Sequence, residues 1–220
     1  MDQLTFEFPF TTSYYEDDFY VSKNNFNAYK LIESCPIWPG RFINIYGPKG
    51  CGKTHLVNIL KKKINSLIIE ASKINNDLLA KVKSKECLII DNYKNNIDQN
   101  LLYTIINQAL QSNQYIVINT LETIKNTKVE LKDLKSRFDS FIEIGINLPT
   151  DDLLKVIITK NFSDKQIKIN ANLMSYILKN IKRSYEEIFK FVKLVDKTSL
   201  STGKPININL IKKVISKINE

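Results

Sequence analysis

Gly47-Pro48-Lys49-Gly50-Cys51-Gly52-Lys53-Thr54 fits the phosphate-binding loop pattern G-x-x-x-x-G-K-[ST] at every fixed position. The glycines let backbone N–H groups turn inward around a phosphate without Cβ clashes. Lys53 is suited to the β- and γ-phosphates, and the Thr54 hydroxyl to Mg²⁺. Ahead of the loop, Phe42-Ile43-Asn44-Ile45-Tyr46 is rich in strand formers. Behind it, Leu56, Ile59 and Leu60 recur at helical spacing. Strand, loop and helix in that order is the setting the motif needs, with the helix N-terminus favouring an anion. His55, the only histidine, reads as a helix-start filler without assigned chemistry.

Outward from the loop, strands and helices alternate from about 40 to 145, which implies a parallel sheet. The pattern predicts strands at 42–46, 66–70, 87–91, 115–119 and 141–145, and helices near 53–63, 73–82 and 99–111. After Pro149 the pattern turns helical throughout. Thr150 or Asp151 caps a helix running to about 160, and others fit near 171–181, 184–199 and 207–218, with Gly203-Lys204-Pro205 as the last turn. The expected fold is α/β: a parallel-sheet P-loop base over 19–148 and a small all-helical lid over 149–220. A distinct leader, residues 1–18, precedes them, with apolar Leu4, Phe6, Phe8 and Phe10.

The 220 residues are 43% hydrophobic and 25% charged, the balance of a globular protein. No apolar run approaches the roughly 18 residues of a membrane helix, so no membrane partner is expected. Asp2 and Glu7 stand where a secretory signal would be basic. Cys35, Cys51 and Cys87 lack metal-ligand spacing, which points to a reduced, cytoplasmic setting. The net charge of +9 invites a nucleic-acid reading. Lysines scattered through nearly every segment explain it more simply, although salt-sensitive contact with DNA stays compatible with it.

A second motif is Cys87-Leu88-Ile89-Ile90-Asp91, an apolar strand ending in a carboxylate. Parallel strands buried on both faces read this way, and ligands sit at their C-terminal ends. Asp91 is therefore placed to orient Mg²⁺ or its waters. Asn92 follows it, and an amide cannot take a proton from water. Nucleotide binding with weak intrinsic hydrolysis is the expectation. Only Arg41, Arg137 and Arg183 interrupt a lysine-dominated set of 32 basic residues. Arg137, before the last strand, and Arg183, at the start of a lid helix, lie where a guanidinium fork could meet phosphate. Arg41 reads as a surface ion-pair residue.

Together the P-loop, the Leu-Ile-Ile-Asp-Asn strand, the Asp133-Leu134-Lys135-Ser136-Arg137-Phe138 segment and the Arg183 helix resemble the DnaA branch of the AAA+ proteins. Within that branch the pattern is most similar to the Hda family, regulatory inactivators of DnaA, in its alphaproteobacterial form. The resemblance implies ADP or ATP as ligand, Mg²⁺ as its ion, and Arg137 as an arginine finger. It implies Arg183 as the lid arginine that touches nucleotide, and Asn119 or Thr120 as the sensor after the fourth strand. Phe19-Tyr20-Val21-Ser22 resembles the segment the family lays along adenine, which puts Val21 in the binding set.

Gln3-Leu4-Thr5-Phe6-Glu7-Phe8 resembles the family's peptide for the DNA sliding clamp, with Gln3, Leu4, Phe6 and Phe8 as the docking side chains. The alternative is an edge strand with alternating apolar residues. The chain ends soon after the lid, where DnaA would continue into a DNA-binding domain. The implied function is negative regulation of replication initiation. The chain would be held to DNA through the clamp and would lend Arg137 to ATP on DnaA. Nucleotide sites of this class complete themselves at a subunit boundary, so homo-oligomers are compatible with it. The competing reading is an autonomous P-loop ATPase, such as a DnaA-like initiator fragment or a helicase loader.

Overall fold

The computed structural model describes residues 14–219 apart from Asn96 and Lys204. The clamp-type residues Gln3, Leu4, Phe6 and Phe8 lie outside the described residues. The chain divides into two compact units, one spanning Tyr14–Asn147 and the other beginning at Leu148.

The first unit is built on five parallel strands, β1 (Phe42–Tyr46), β2 (Ser66–Glu70), β3 (Cys87–Asp91), β4 (Tyr115–Thr120) and β5 (Ile142–Gly145), in the order β2-β3-β4-β1-β5. Ile43, Ile45, Leu88, Ile89, Ile116 and Val117 are fully buried. Such uninterrupted apolar runs suit strands covered on both faces. Helices α1 (Phe26–Glu33), α2 (Lys53–Lys63), α3 (Leu78–Val82), α4 (Gln99–Gln111) and α5 (Lys132–Asp139) complete the unit. Since β1 lies between β4 and β5, the P-loop leaves the sheet beside the end of β4. Ligands bind at such carboxyl ends in open parallel sheets.

Two helices went unpredicted. Short α1 buries Ala28, Leu31 and Ile32, and α5 buries only Leu134 and Phe138. The helix expected at 73–82 shrinks to α3, behind a 3-10 turn at Ala71–Lys73. The cause is local: the Asp77 N–H donates to Asn75 Oδ1 at 3.1 Å, an amide competing with the helical ladder.

The second unit contains α6 (Asp151–Ser163), α7 (Ala171–Asn180), α8 (Tyr185–Thr202) and α9 (Ile208–Asn219) around Phe162, Ile177, Phe191 and Ile211. Thr150, not Asp151, caps α6, its hydroxyl accepting from the Leu153 N–H at 3.4 Å. Gly203 ends α8 at φ +63°, the left-handed geometry that terminates helices. No described helix is long and apolar enough to cross a membrane.

Candidate nucleotide site

The P-loop is shaped for an anion by what it lacks. Gly52 is the N-cap of α2 and has no side chain to cap it, so the first N–H groups of α2 face the loop. Asp98 caps α4 by contrast, accepting from the Leu101 N–H at 2.8 Å. Gly50 and Gly52 adopt φ +81° and +99°. A Cβ on Gly47 would sit 2.6 Å from the Ile146 carbonyl oxygen. Lys53 folds back on the loop, its ammonium donating to the carbonyl oxygens of Gly47 (2.6 Å) and Pro48 (3.1 Å). Cys51 is buried beneath it, its Sγ 3.7 Å from Lys53 Nζ. Burial pushes the Cys51 thiol up, with the Lys53 charge opposing the shift. Pro48 and Lys49 form the loop's outer turn, and Lys49 is exposed.

Thr54 and Asp91, the two side chains expected to serve a Mg²⁺, lie beside one another. Thr54 Oγ1 donates to Asp91 Oδ2 at 2.8 Å. Asn119 Nδ2 donates to the other oxygen, Asp91 Oδ1, also at 2.8 Å. A hydroxyl and a carboxylate are the hard oxygen donors that Mg²⁺ uses alongside substrate phosphates. No cluster of three metal-ligating side chains occurs among the described residues. Asn119 and Thr120, equivalent in sequence, differ in geometry. Asn119 is fully buried at Asp91, and its Oδ1 has no hydrogen-bond partner among the described residues. A buried acceptor in that condition is costly unless something donates to it. The Thr120 hydroxyl instead donates to the Glu122 carbonyl and accepts from Asn44 Nδ2 at 2.8 Å. Asn92 takes φ +58°, its N–H donating to Asp91 Oδ1 at 3.0 Å.

Residues 14–22 lie against the same loop. The Phe19 ring would be 2.9 Å from a Cβ on Gly52, and it stacks on Tyr29 with centroids 5.9 Å apart. Buried Asn25 grips the next turn, with Nδ2 donating to the Tyr20 carbonyl at 2.9 Å and Oδ1 accepting from the Ser22 N–H at 2.7 Å. Val21 sits inside that grip. His55 has the role that sequence did not assign it. Its Nε2 lies 2.6 Å from the Tyr15 carbonyl oxygen, and its ring meets Tyr14 and Phe19 edge-on. Lys63 pairs with Glu16 at 3.3 Å. The segment is thereby tied along α2, the helix that the P-loop opens.

Of the two candidate arginines, Arg137 belongs to the first unit and Arg183 to the second. Arg137 lies near the end of α5, just before β5 begins, and is half-buried. Its Nε donates to Asn107 Oδ1 at 3.0 Å, near the end of α4. Both positions belong to the edge where strands start, whereas the P-loop lies where they end. Five strand residues separate the edges, about 16 Å. Arg183 lies in the turn before α8 and makes a two-pronged bond with Asp151, Nε–Oδ1 2.7 Å and Nη2–Oδ2 3.0 Å. The hydrogen bond from Arg183 holds the Asp151 carboxyl below its usual range. Arg41, expected to form a surface ion pair, instead donates to the Asn113 carbonyl and lies 5.1 Å over the Tyr115 ring.

The chromosomal replication initiator protein DnaA of Buchnera aphidicola subsp. Cinara cedri is 26% identical, covering 80% of this chain and 46% of its own. Domain III of Thermotoga maritima DnaA matches with a TM-score of 0.78 at 20% identity, covering 96% of this chain and 99% of that one. The chain has an AAA+ P-loop fold similar to that of DnaA domain III. AMPPCP-bound DnaA from Aquifex aeolicus matches with a TM-score of 0.68 at 21% identity, over 85% of this chain and 66% of that one. A family model described as RNA helicase matches residues 43–132, which run from β1 to the start of α5. The chain spans about half the length of the curated relatives it matches.

Residues that brace these groups but that sequence did not single out share one property. Asn25, Asn44 and Asn107 are amides whose partners are fixed only by the fold. Asn44 is buried in β1 and donates to the Ile118 carbonyl (2.9 Å) and Thr120 Oγ1. Its Oδ1 accepts from the Ile124 N–H at 2.9 Å. It locks the strand that feeds the P-loop to the strand that ends in Asn119 and Thr120.

Proposed function

We propose that this DnaA-like chain is a nucleotide-holding regulator of replication initiation that acts by lending Arg137 to a triphosphate bound elsewhere. The base, residues 19–148, would hold ADP or ATP with Mg²⁺ at Lys53, Thr54 and Asp91. Arg183 of the lid, residues 149–220, would exchange Asp151 for a phosphate. Residues 1–18 would tether the chain to the sliding clamp through Gln3, Leu4, Phe6 and Phe8, and so reach DNA indirectly. A tether raises the local concentration of a weakly binding partner.

One observation carries the reading. Arg137 is half-exposed at the strand-start edge, too far from its own P-loop to serve it. A finger supplied to another molecule's nucleotide stabilises transition-state charge, an effect of about 10³–10⁵ in rate elsewhere. Asn92 agrees with the division of labour, because the chain's own site has an amide where a base would activate water. The test is single-turnover hydrolysis of ATP on DnaA, with clamp-loaded DNA and this chain. Acceleration that disappears in Arg137→Ala supports the reading, and acceleration that persists refutes it.

A second reading rests on the comparisons. The relatives are initiators, and this chain corresponds to about half of one. In that case Arg137 would complete the site of the next copy of the same chain. ATP-dependent self-assembly with hydrolysis rising more than linearly with protein concentration would favour it.

A further inference from the structure

In a chain with 32 basic residues, positions 31–48 and 95–124 hold no lysine. These stretches supply the turn before β1, and α4 with the turn after it. Both turns lie at the edge where strands start. Protein interfaces carry the same bias, with lysine depleted and aromatic residues and arginine enriched.

The turn before β1 reads Cys35-Pro36-Ile37-Trp38-Pro39-Gly40. Ile37 is 86% exposed, and Pro36 and Pro39 are exposed beside it. The backbone beneath them is braced. The Ile37 N–H donates to the Ser34 carbonyl at 2.7 Å, Trp38 Nε1 donates to the Leu31 carbonyl at 2.7 Å, and the Tyr115 hydroxyl donates to the Pro36 carbonyl at 3.0 Å. The Trp38 and Tyr115 rings meet edge-on with centroids 5.0 Å apart. The two prolines hold φ fixed as well. A single exposed apolar side chain is ordinary. One held out on a braced turn loses little freedom on binding, which suits it to anchor an interface.

From this turn the surface runs to Arg137 through residues in contact. Arg41 lies over the Tyr115 ring and donates to the Asn113 carbonyl. The Asn113 N–H donates to the Leu110 carbonyl at 3.2 Å. Leu110 is 41% exposed and stands one turn of α4 from Asn107, on the same side of the helix. Asn107 Oδ1 in turn accepts from Arg137 Nε. Two of the chain's three arginines therefore belong to one strip with Ile37 and Leu110.

We propose that Ile37 is the docking anchor for the ATP-loaded protein that receives Arg137, with Leu110 and Arg41 completing the contact. The inference rests on the proposed reading of Arg137 and adds to it the surface that binds the partner. The partner offers an apolar socket to Ile37 and a carboxylate to Arg41, whose planar fork suits such a pair. Ile37 then supplies affinity, and Arg137 supplies rate.

The experiment measures two quantities with the full chain. One is the Kd for DnaA loaded with AMPPCP, on clamp-loaded DNA. The other is single-turnover ATP hydrolysis on DnaA as the concentration of this chain is raised. Ile37→Asp weakens binding about tenfold or more and raises the half-saturating concentration in step, with the rate at saturation unchanged. Leu110→Asp acts in the same direction. Arg137→Ala lowers the rate at saturation and moves Kd far less. Leu200→Asp, at an exposed leucine of the lid, moves neither. Tm is measured for each variant, and Ile37→Ala serves as a milder second variant at the same position. Unchanged Kd in both Ile37 variants overturns the inference and leaves the Arg137 reading standing. Binding that Ile37→Asp weakens, without any acceleration by the parent chain, supports the anchor and removes the Arg137 reading. No binding by the parent chain overturns the inference. So does self-association of this chain that Ile37→Asp abolishes while DnaA binding persists.

Discussion

Thr54 Oγ1 and Asp91 Oδ2 are joined by a 2.8 Å hydrogen bond between residues 37 positions apart in sequence. On the proposed reading, the bond preorganises two oxygen donors for a nucleotide-bound Mg²⁺. Asp91→Asn and Thr54→Ala are therefore expected to weaken nucleotide binding at least tenfold with Mg²⁺ and far less in EDTA. Calorimetric titration with and without the metal checks this. Equal losses under both conditions would show that the pair serves folding, not the ion.

Gly52 cannot be replaced without strain. Its φ of +99° disfavours any Cβ, and that Cβ would meet the Phe19 ring at 2.9 Å. Backbone strain of this kind costs on the order of 1–3 kcal/mol. Gly52→Ala should lower Tm by several degrees, and adding Phe19→Ala should recover only the part due to the ring. Complete recovery would mean that the backbone conformation costs nothing.

Asn44 gives a stability prediction with a functional edge. Asn44→Leu keeps the side chain's size but leaves the buried Ile124 N–H without its acceptor. The loss of such a partner costs about 1–3 kcal/mol. Chemical denaturation reads that loss. Nucleotide affinity should fall as well, because the β4 end carrying Asn119 loses its anchor to β1. A stability loss with unchanged affinity would make Asn44 purely structural.

Tyr93 supplies the pH dependence. Burial pushes its phenol up from 10.0 to about 12. The unfolded chain therefore releases that proton first as pH rises. Stability from the neutral phenol is complete below pH 10 and is lost as pH climbs from 10 towards 12. Comparing Tyr93→Phe with the parent chain across that window isolates the effect. Parallel curves would contradict it.

Where a residue's environment is set by its neighbours in sequence, it could be read directly. Strands β1, β2 and β3 start and end as expected, because their apolar runs are buried on both faces. The P-loop and α2 follow from glycine positions and helical spacing. Short α1 and α5 bury too few side chains to stand out, and Asn75 stops the helix expected from 73. The grouping of Thr54 with Asp91 beside the P-loop was legible in the two motifs. The contacts of His55 and Asn44 were not, since their partners lie 40 and 74–80 residues away. Nor could sequence separate Asn119 from Thr120, since only the pairing of β4 with β1 and β3 decides which one faces Asp91.

On the proposed reading, Arg137 acts on a nucleotide this chain does not hold. The most direct measurement is single-turnover ATP hydrolysis on DnaA with clamp-loaded DNA, comparing the parent chain with Arg137→Ala and Arg137→Lys. Nucleotide affinity and Tm of the variants are measured in parallel. The account predicts acceleration by the parent chain and a loss of about 10³-fold or more in both variants, with affinity and Tm unchanged. Full acceleration by Arg137→Ala, or a loss matched by failed nucleotide binding, would contradict it.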